Sequence, residues 1–143
     1  MTTSRDAFLS TTSDSRLADD RRCFACGPDN TTGLRLTFEY GPTSARCVTT
    51  IEPQFAGWVD ILHGGIVATL LDEAMAHATI AAGVRAVTAR LEVRFFKPAP
   101  IGVPLELNGT IERRRGKVLD ATASIRDNAG TLYAEGRSRF IVQ

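Results

Sequence analysis

From Leu34 the chain alternates. Leu34, Leu36, Phe38 and Tyr40 are apolar or aromatic, and Arg35, Thr37 and Glu39 stand between them. A period of two describes a strand with one buried face. Gly41-Pro42 predicts a turn, and Arg46 to Ile51 a second strand. Residues 53–65 read as a loop, carrying Pro53, Gly57, Gly64 and Gly65. The period then becomes helical. Ile66, Leu70, Ala74 and Ala78 recur at four-residue spacing, with Val67, Leu71 and Met75 beside them. That stripe is wide enough for deep burial. The helix should run about 18 residues, or about 27 Å, and stop at Gly83.

Four more strand patterns follow. Ala89, Leu91, Val93 and Phe95 alternate with Arg90, Glu92 and Arg94. Leu105, Leu107, Gly109 and Ile111 alternate with polar residues, as do Leu119, Ala121, Ala123 and Ile125. Leu132 to Val142 closes the series. Turns are expected near Arg115-Gly116 and at Asp127 to Gly130. The order β-β-α-β-β-β-β predicts an α+β domain, an antiparallel sheet curled around one long helix. A half-wrapped helix and unprotected sheet edges favour a dimer.

The chain has 143 residues, 43% of them apolar, which suits one domain with its own core. Lys plus Arg is 17 and Asp plus Glu is 16, so charge gives no case for nucleic acid or an acidic membrane surface. The longest apolar stretch, Ile66 to Val84, contains Asp72, Glu73 and His77, which excludes it as a membrane span. The N-terminus lacks the apolar core of a secretory signal, so a cytoplasmic location is expected. Residues 1–22 form a polar arm, mobile or a short docked helix, outside the core. Cys23, Cys26 and Cys47 make an odd count, which argues for reduced thiols.

The run from His63 to Asp72, HGGIVATLLD, is the richest in chemistry. Amides at a helix start lack partners, and two glycines let a ligand approach them closely. The helix dipole adds positive potential, so these amides could hold an oxyanion. Gly64-Gly65 could equally be only a tight entry turn. Asp72, inside an apolar stretch, is either a solvated residue on the outer stripe or a carboxylate kept in a cleft to activate water or attack a carbonyl. It lies about 12 Å along the axis from Gly64. If both act on one substrate, they come from different subunits.

HGGIVATLLDEAM, followed by TARLEVRFFKPAPIG, resembles a hotdog-fold acyl-CoA thioesterase of the PaaI type, and CFACGPDNTTGLRLTF resembles the entry segment of a subgroup. The likeness spans about residues 23–142, within an expected hotdog domain of 23–143. The resemblance implies hydrolysis of acyl-CoA at a site between two subunits of a homodimer or tetramer, without metal or cofactor. It implies that the Gly64 amide holds the thioester oxygen. Asp72 of the facing subunit is general base or nucleophile, His63 orients the site, and Thr88 helps place water. The loop from Phe55 to Asp60 offers no Asn where some members have one. Strict alternation puts Thr88 with Arg90 and Glu92 on the polar face, so it reaches the site only if that strand begins irregularly. A non-catalytic acyl-CoA binder and, further off, a hotdog hydratase are the alternatives.

Other residues carry blander readings. Glu73, about 100° around the helix from Asp72, reads as solvated or ion-paired, and His77 as packing or surface. Cys23-Phe24-Ala25-Cys26 suggests zinc, but the further donors weighed, Cys47, His63 and His77, show no second pair with finger-like spacing, so the cysteines read as buried structural thiols. Trp58 either lines the acyl tunnel or anchors its loop. Gly65, beside Gly64, joins the expected substrate contacts. Arg94, Lys97, Arg113, Arg114, Arg115 and Lys117 are the basic candidates for coenzyme A phosphates, Arg94, Lys97, Arg113 and Arg115 foremost.

Overall fold

The structure, a computed structural model, describes residues 17–143; the first sixteen residues of the expected arm lie outside them. Its strands are β1 (Glu39–Tyr40), β2 (Ser44–Thr50), β3 (Ala86–Phe95), β4 (Pro104–Arg115), β5 (Val118–Asp127) and β6 (Leu132–Val142). One helix, α1 (Gly64–Ala81), has the 18 residues its apolar stripe predicts. All strands join one antiparallel sheet in the order β1-β2-β4-β5-β6-β3. The chain crosses from β2 near one edge to β3 at the other through α1, so the helix lies across the sheet. Gly83, at φ 83°, ends it as expected.

A row of small residues makes that crossing possible. Ala45, Gly109, Ala123 and Gly136 are in register on β2, β4, β5 and β6. A Cβ on Gly109 would fall 2.1 Å from the carbonyl oxygen of Ala74. One on Gly136 would meet the terminal methyl of Met75 at 3.0 Å. The helix backbone therefore rests directly on the sheet along this trough. Leu70, Leu71, Ala74 and Met75 are fully buried there, each large side chain worth roughly 1.5–3 kcal/mol of transfer free energy.

The expected strand Leu34 to Tyr40 is corrected. Burial alternates as its pattern says, with Leu36, Phe38 and Tyr40 inside. Only Glu39 and Tyr40 pair with β2. The Leu34 and Leu36 amides donate instead to the carbonyls of Phe24 and Ala25, at 2.8 and 2.9 Å. Alternation reports which face is buried, not which segment supplies the hydrogen bonds, and the cysteine loop has taken that place. The apolar face of β3 also differs from expectation. β3 is an edge strand, and Leu91 and Phe95 remain 37% and 58% exposed. Among the described residues no helix is long and apolar enough to cross a membrane.

Gly109→Ala should cost about 1–3 kcal/mol, because its methyl meets a helix carbonyl that cannot step aside. Gly136→Ala should cost less, since the Met75 methyl can swing. Urea unfolding of the two variants measures the difference.

Candidate active site

Helix α1 begins with an unusual cap. His63 has extended backbone, φ −58° and ψ 136°, and its Nδ1 accepts the Gly65 amide at 2.9 Å. A ring nitrogen does the work usually given to a Ser, Asn or Asp oxygen. In the neutral ring the proton then sits on Nε2. Gly65, expected to touch substrate, has its N–H committed to this cap. The Gly64 N–H meets no acceptor among the described residues. Nothing crowds it: a Cβ there would find only Phe95, at 3.8 Å. The amide borders a cleft of about 280 Å³ lined by Gly64, Val67, Leu62, Phe95, Phe96 and Lys97. An unmatched donor at a helix start, beside apolar walls, can polarise a carbonyl.

Asp72 lies two turns along the same helix. Thr88 donates its Oγ1 hydrogen to Asp72 Oδ1 at 2.8 Å. The strand does begin irregularly there. Thr88 opposes Phe140 and Arg90 opposes Arg139, neighbours on β6, which leaves Ala89 as an extra residue. This bulge turns Thr88 to the side of the fully buried Phe140, toward the helix. Burial pushes the Asp72 carboxyl above the usual carboxylate range, the Thr88 hydrogen bond works against that, and the charge of Glu73 adds to it.

His77 faces elsewhere. It is buried, stacks on Phe38 with ring centroids 4.2 Å apart, and sets Nδ1 2.7 Å from the Tyr40 hydroxyl. Its Nε2 lies 3.3 Å from Glu73 Oε2, so Glu73 packs against His77, its side chain mostly shielded from solvent. His77 looks to the β1 edge and Asp72 to the β3 edge, which separates them as helical angles require. Trp58 does not anchor its loop. It is 81% exposed, and Val59 beside it 86%.

The basic candidates are scattered within one chain. Lys97 borders the Gly64 cleft. The Arg94 guanidinium sits 5.1 Å from the centre of the Phe96 ring. Arg113 and Arg115 are exposed near the tip of β4, at the end of the sheet where Thr88 lies. Burial pushes the Cys47 thiol up to about 11, so it is inert. Cys23 and Cys26 gather with Glu73, a donor that sequence reasoning missed because it counted only cysteines and histidines.

Two measurements check this geometry. His63→Ala should lose about 0.5–2 kcal/mol in thermal unfolding, and His63→Asn, which can still cap, should recover most of it. Asp72→Asn should raise the thermal midpoint at neutral pH. Its carboxyl titrates higher folded than unfolded, so the charged form weakens the fold above both values and the advantage vanishes in acid below the unfolded one.

The family model of the thioesterase superfamily matches residues 60–134. Acyl-coenzyme A thioesterase THEM4 of Bos taurus is 30% identical over 96 residues, 66% of this chain and 39% of that protein. Acyl-coenzyme A thioesterase 13 of Mus musculus is 32% identical over 101 residues, 67% of this chain and 71% of that one. The chain thus spans about two-fifths of the bovine relative's length. Among solved structures, a thioesterase superfamily protein superposes with TM-score 0.80 at 27% identity, covering 85% of this chain and 60% of its own. The PaaI protein of the E. coli phenylacetic acid degradation operon gives 0.72 at 20% identity, covering 77% and 80%. A Streptococcus mutans protein bound to acetyl CoA gives 0.72 at 14%, covering 93% and 96%. The sheet crossed by one long helix and the matched segment agree: this chain belongs to the thioesterase superfamily and has its hotdog fold.

Proposed function

We propose that the protein hydrolyses acyl-CoA to free acid and coenzyme A, at a site completed by two copies of the chain. One observation carries the reading. The Gly64 amide lies beside Phe95, and Asp72 is bonded to Thr88, so the two groups are tied to opposite ends of the edge strand β3. An exposed edge strand ten residues long needs a partner, and Val87, Leu91 and Phe95 along it are uncovered. Antiparallel pairing with a second β3, centred at about Leu91-Glu92, sets the Thr88 end of one copy beside the Phe95 end of the other. Each Asp72 then faces the other copy's Gly64. The same pairing carries Arg113 and Arg115 toward the other copy's Lys97, where the cations could share a phosphate group; Arg94 lies along the same edge.

In this reading the Gly64 N–H donates to the thioester oxygen. With its Oδ1 held by Thr88, the Asp72 carboxylate takes a proton from water with Oδ2. The hydroxide oxygen bonds to the carbonyl carbon, and the negative charge moves to the oxygen facing Gly64. As the carbonyl reforms, the C–S bond breaks and the sulfur leaves with its electron pair, receiving the proton from Asp72. Direct attack by Asp72 would give an anhydride that water then opens. His63 holds the turn that aims Gly64. Trp58 and Val59, exposed and apolar, suit the acyl chain or the second copy. The names of the THEM4 and thioesterase 13 relatives, and acetyl CoA on the Streptococcus mutans neighbour, support the substrate class. A cytoplasmic setting fits that substrate.

The experiment follows thiol release from a panel of acyl-CoAs. Asp72→Ala should lower kcat about 10²–10⁴-fold. Gly64→Pro removes only the amide, since proline fits the first helical position, and should cost about 10²–10³-fold. Mixing the two dead variants and letting them exchange should restore about a quarter of wild-type activity, because each mixed dimer holds one intact site of two. A monomer by light scattering, or no rescue on mixing, would refute the shared site. Binding without thiol release would favour the non-catalytic binder.

A further inference from the structure

The Cys23–Cys26 turn packs against the face of α1 that the proposed reaction does not use. The two sulfurs and a carboxylate oxygen of Glu73 lie within 4.8 Å of one another. The turn is fastened on both sides. The Gly27 amide donates to the Cys23 carbonyl at 2.8 Å, and a Cβ on Gly27 would come within 2.4 Å of the Cys23 nitrogen. The Phe24 and Ala25 carbonyls between the cysteines hold the Leu34 and Leu36 amides.

The helix side is equally set. Glu73 and His77 are one turn apart on one face. Their Oε2 and Nε2 are 3.3 Å apart, and two ligands of one tetrahedral zinc, on bonds of about 2.0 Å, are separated by about 3.3 Å. His77 cannot swing away: its ring is stacked on Phe38, and its Nδ1 is 2.7 Å from the Tyr40 hydroxyl. A ligand histidine with its second nitrogen held this way is oriented for metal. A cleft of about 280 Å³, lined by Cys23, Cys26, Glu73 and His77 and rimmed by Asp19 and Asp20, gives an ion a way in.

We propose that Cys23, Cys26, Glu73 and His77 bind one zinc ion, at a site separate from Asp72. Two thiolates, an imidazole and one carboxylate suit zinc, whereas magnesium and calcium take oxygen ligands. His77 stands outside the 4.8 Å cluster, so the cysteine turn must move in toward its Nε2 as the ion binds, and the two thiol protons leave to solvent. No oxidation or reduction is involved. The ion would join the irregular segment before β1, which carries the ladder bonds of the expected strand only at Glu39 and Tyr40, to the centre of α1.

The test is elemental analysis of the full chain, purified without chelator and dialysed against metal-free buffer. About one zinc per chain is expected, falling to background in Cys23→Ser. Cobalt added to zinc-stripped wild type should give the near-ultraviolet thiolate-to-metal band and the strong visible bands of a tetrahedral ion. Glu73→Gln and His77→Gln should each weaken retention of zinc against a chelating indicator about tenfold or more. Stripping should lower the thermal midpoint by about 5–10 °C. Trace zinc with no cobalt–thiolate band in wild type, a Cys23–Cys26 disulfide in freshly isolated protein, or full zinc in Cys23→Ser would each overturn the assignment.

Discussion

The architecture depends on how closely one helix backbone can approach the sheet beneath it. Helix and sheet usually stand apart by the thickness of two layers of side chains. Here Gly109 removes one layer at the crossing point, and Ala45, Ala123 and Gly136 widen the gap along the same row. The helix sinks into that trough, and its rotation is thereby fixed. Once Ala74 and Met75 face the sheet, Asp72 must look toward β3, and Glu73 and His77 toward β1. The functional faces follow from a packing constraint set by residues without functional groups.

The same constraint leaves work unfinished at one edge. The helix shelters β2, β4, β5 and β6 well, but the inner face of β3 is only partly covered. Apolar side chains and backbone hydrogen-bonding groups stay exposed together on that strand. Such an edge is a hazard for a solitary molecule and an opening for a symmetric one. In the proposed reaction Gly64 and Asp72 sit at its two ends, so covering the edge and assembling the chemistry would be one event.

Much of this was legible in the amino-acid pattern. The length of α1, its stop at Gly83 and the alternating faces of β4 and β5 follow from periodicity, because each element buries one clean face. The HGG start and the Asp72 position were visible for the same reason: small and charged residues interrupt an otherwise apolar run. The rest is hidden where tertiary partners decide. The segment before β1 has the right alternation and the wrong partner. The Gly65 amide could not be assigned until the His63 ring was seen to occupy it. Glu73 reads as an ordinary surface acid from helical angles, and only the path of the loop carrying Cys23 and Cys26 shows what lies above it.

The extra residue in β3 has a consequence for how relatives of this chain diverge. Upstream of Ala89 the inward positions fall at Ala86 and Thr88, and downstream at Leu91, Val93 and Phe95, so the parity of the strand changes once along its length. Point substitutions on either side can drift independently. Loss of that single extra residue would restore uninterrupted parity with Thr88 still opposite Phe140, on the same face as Leu91, so its link to Asp72 would outlive the deletion. Descendants of such a deletion would keep the fold, the motif letters and the bond that steadies the carboxylate, and would lose only the local bend that the bulge puts into the edge strand.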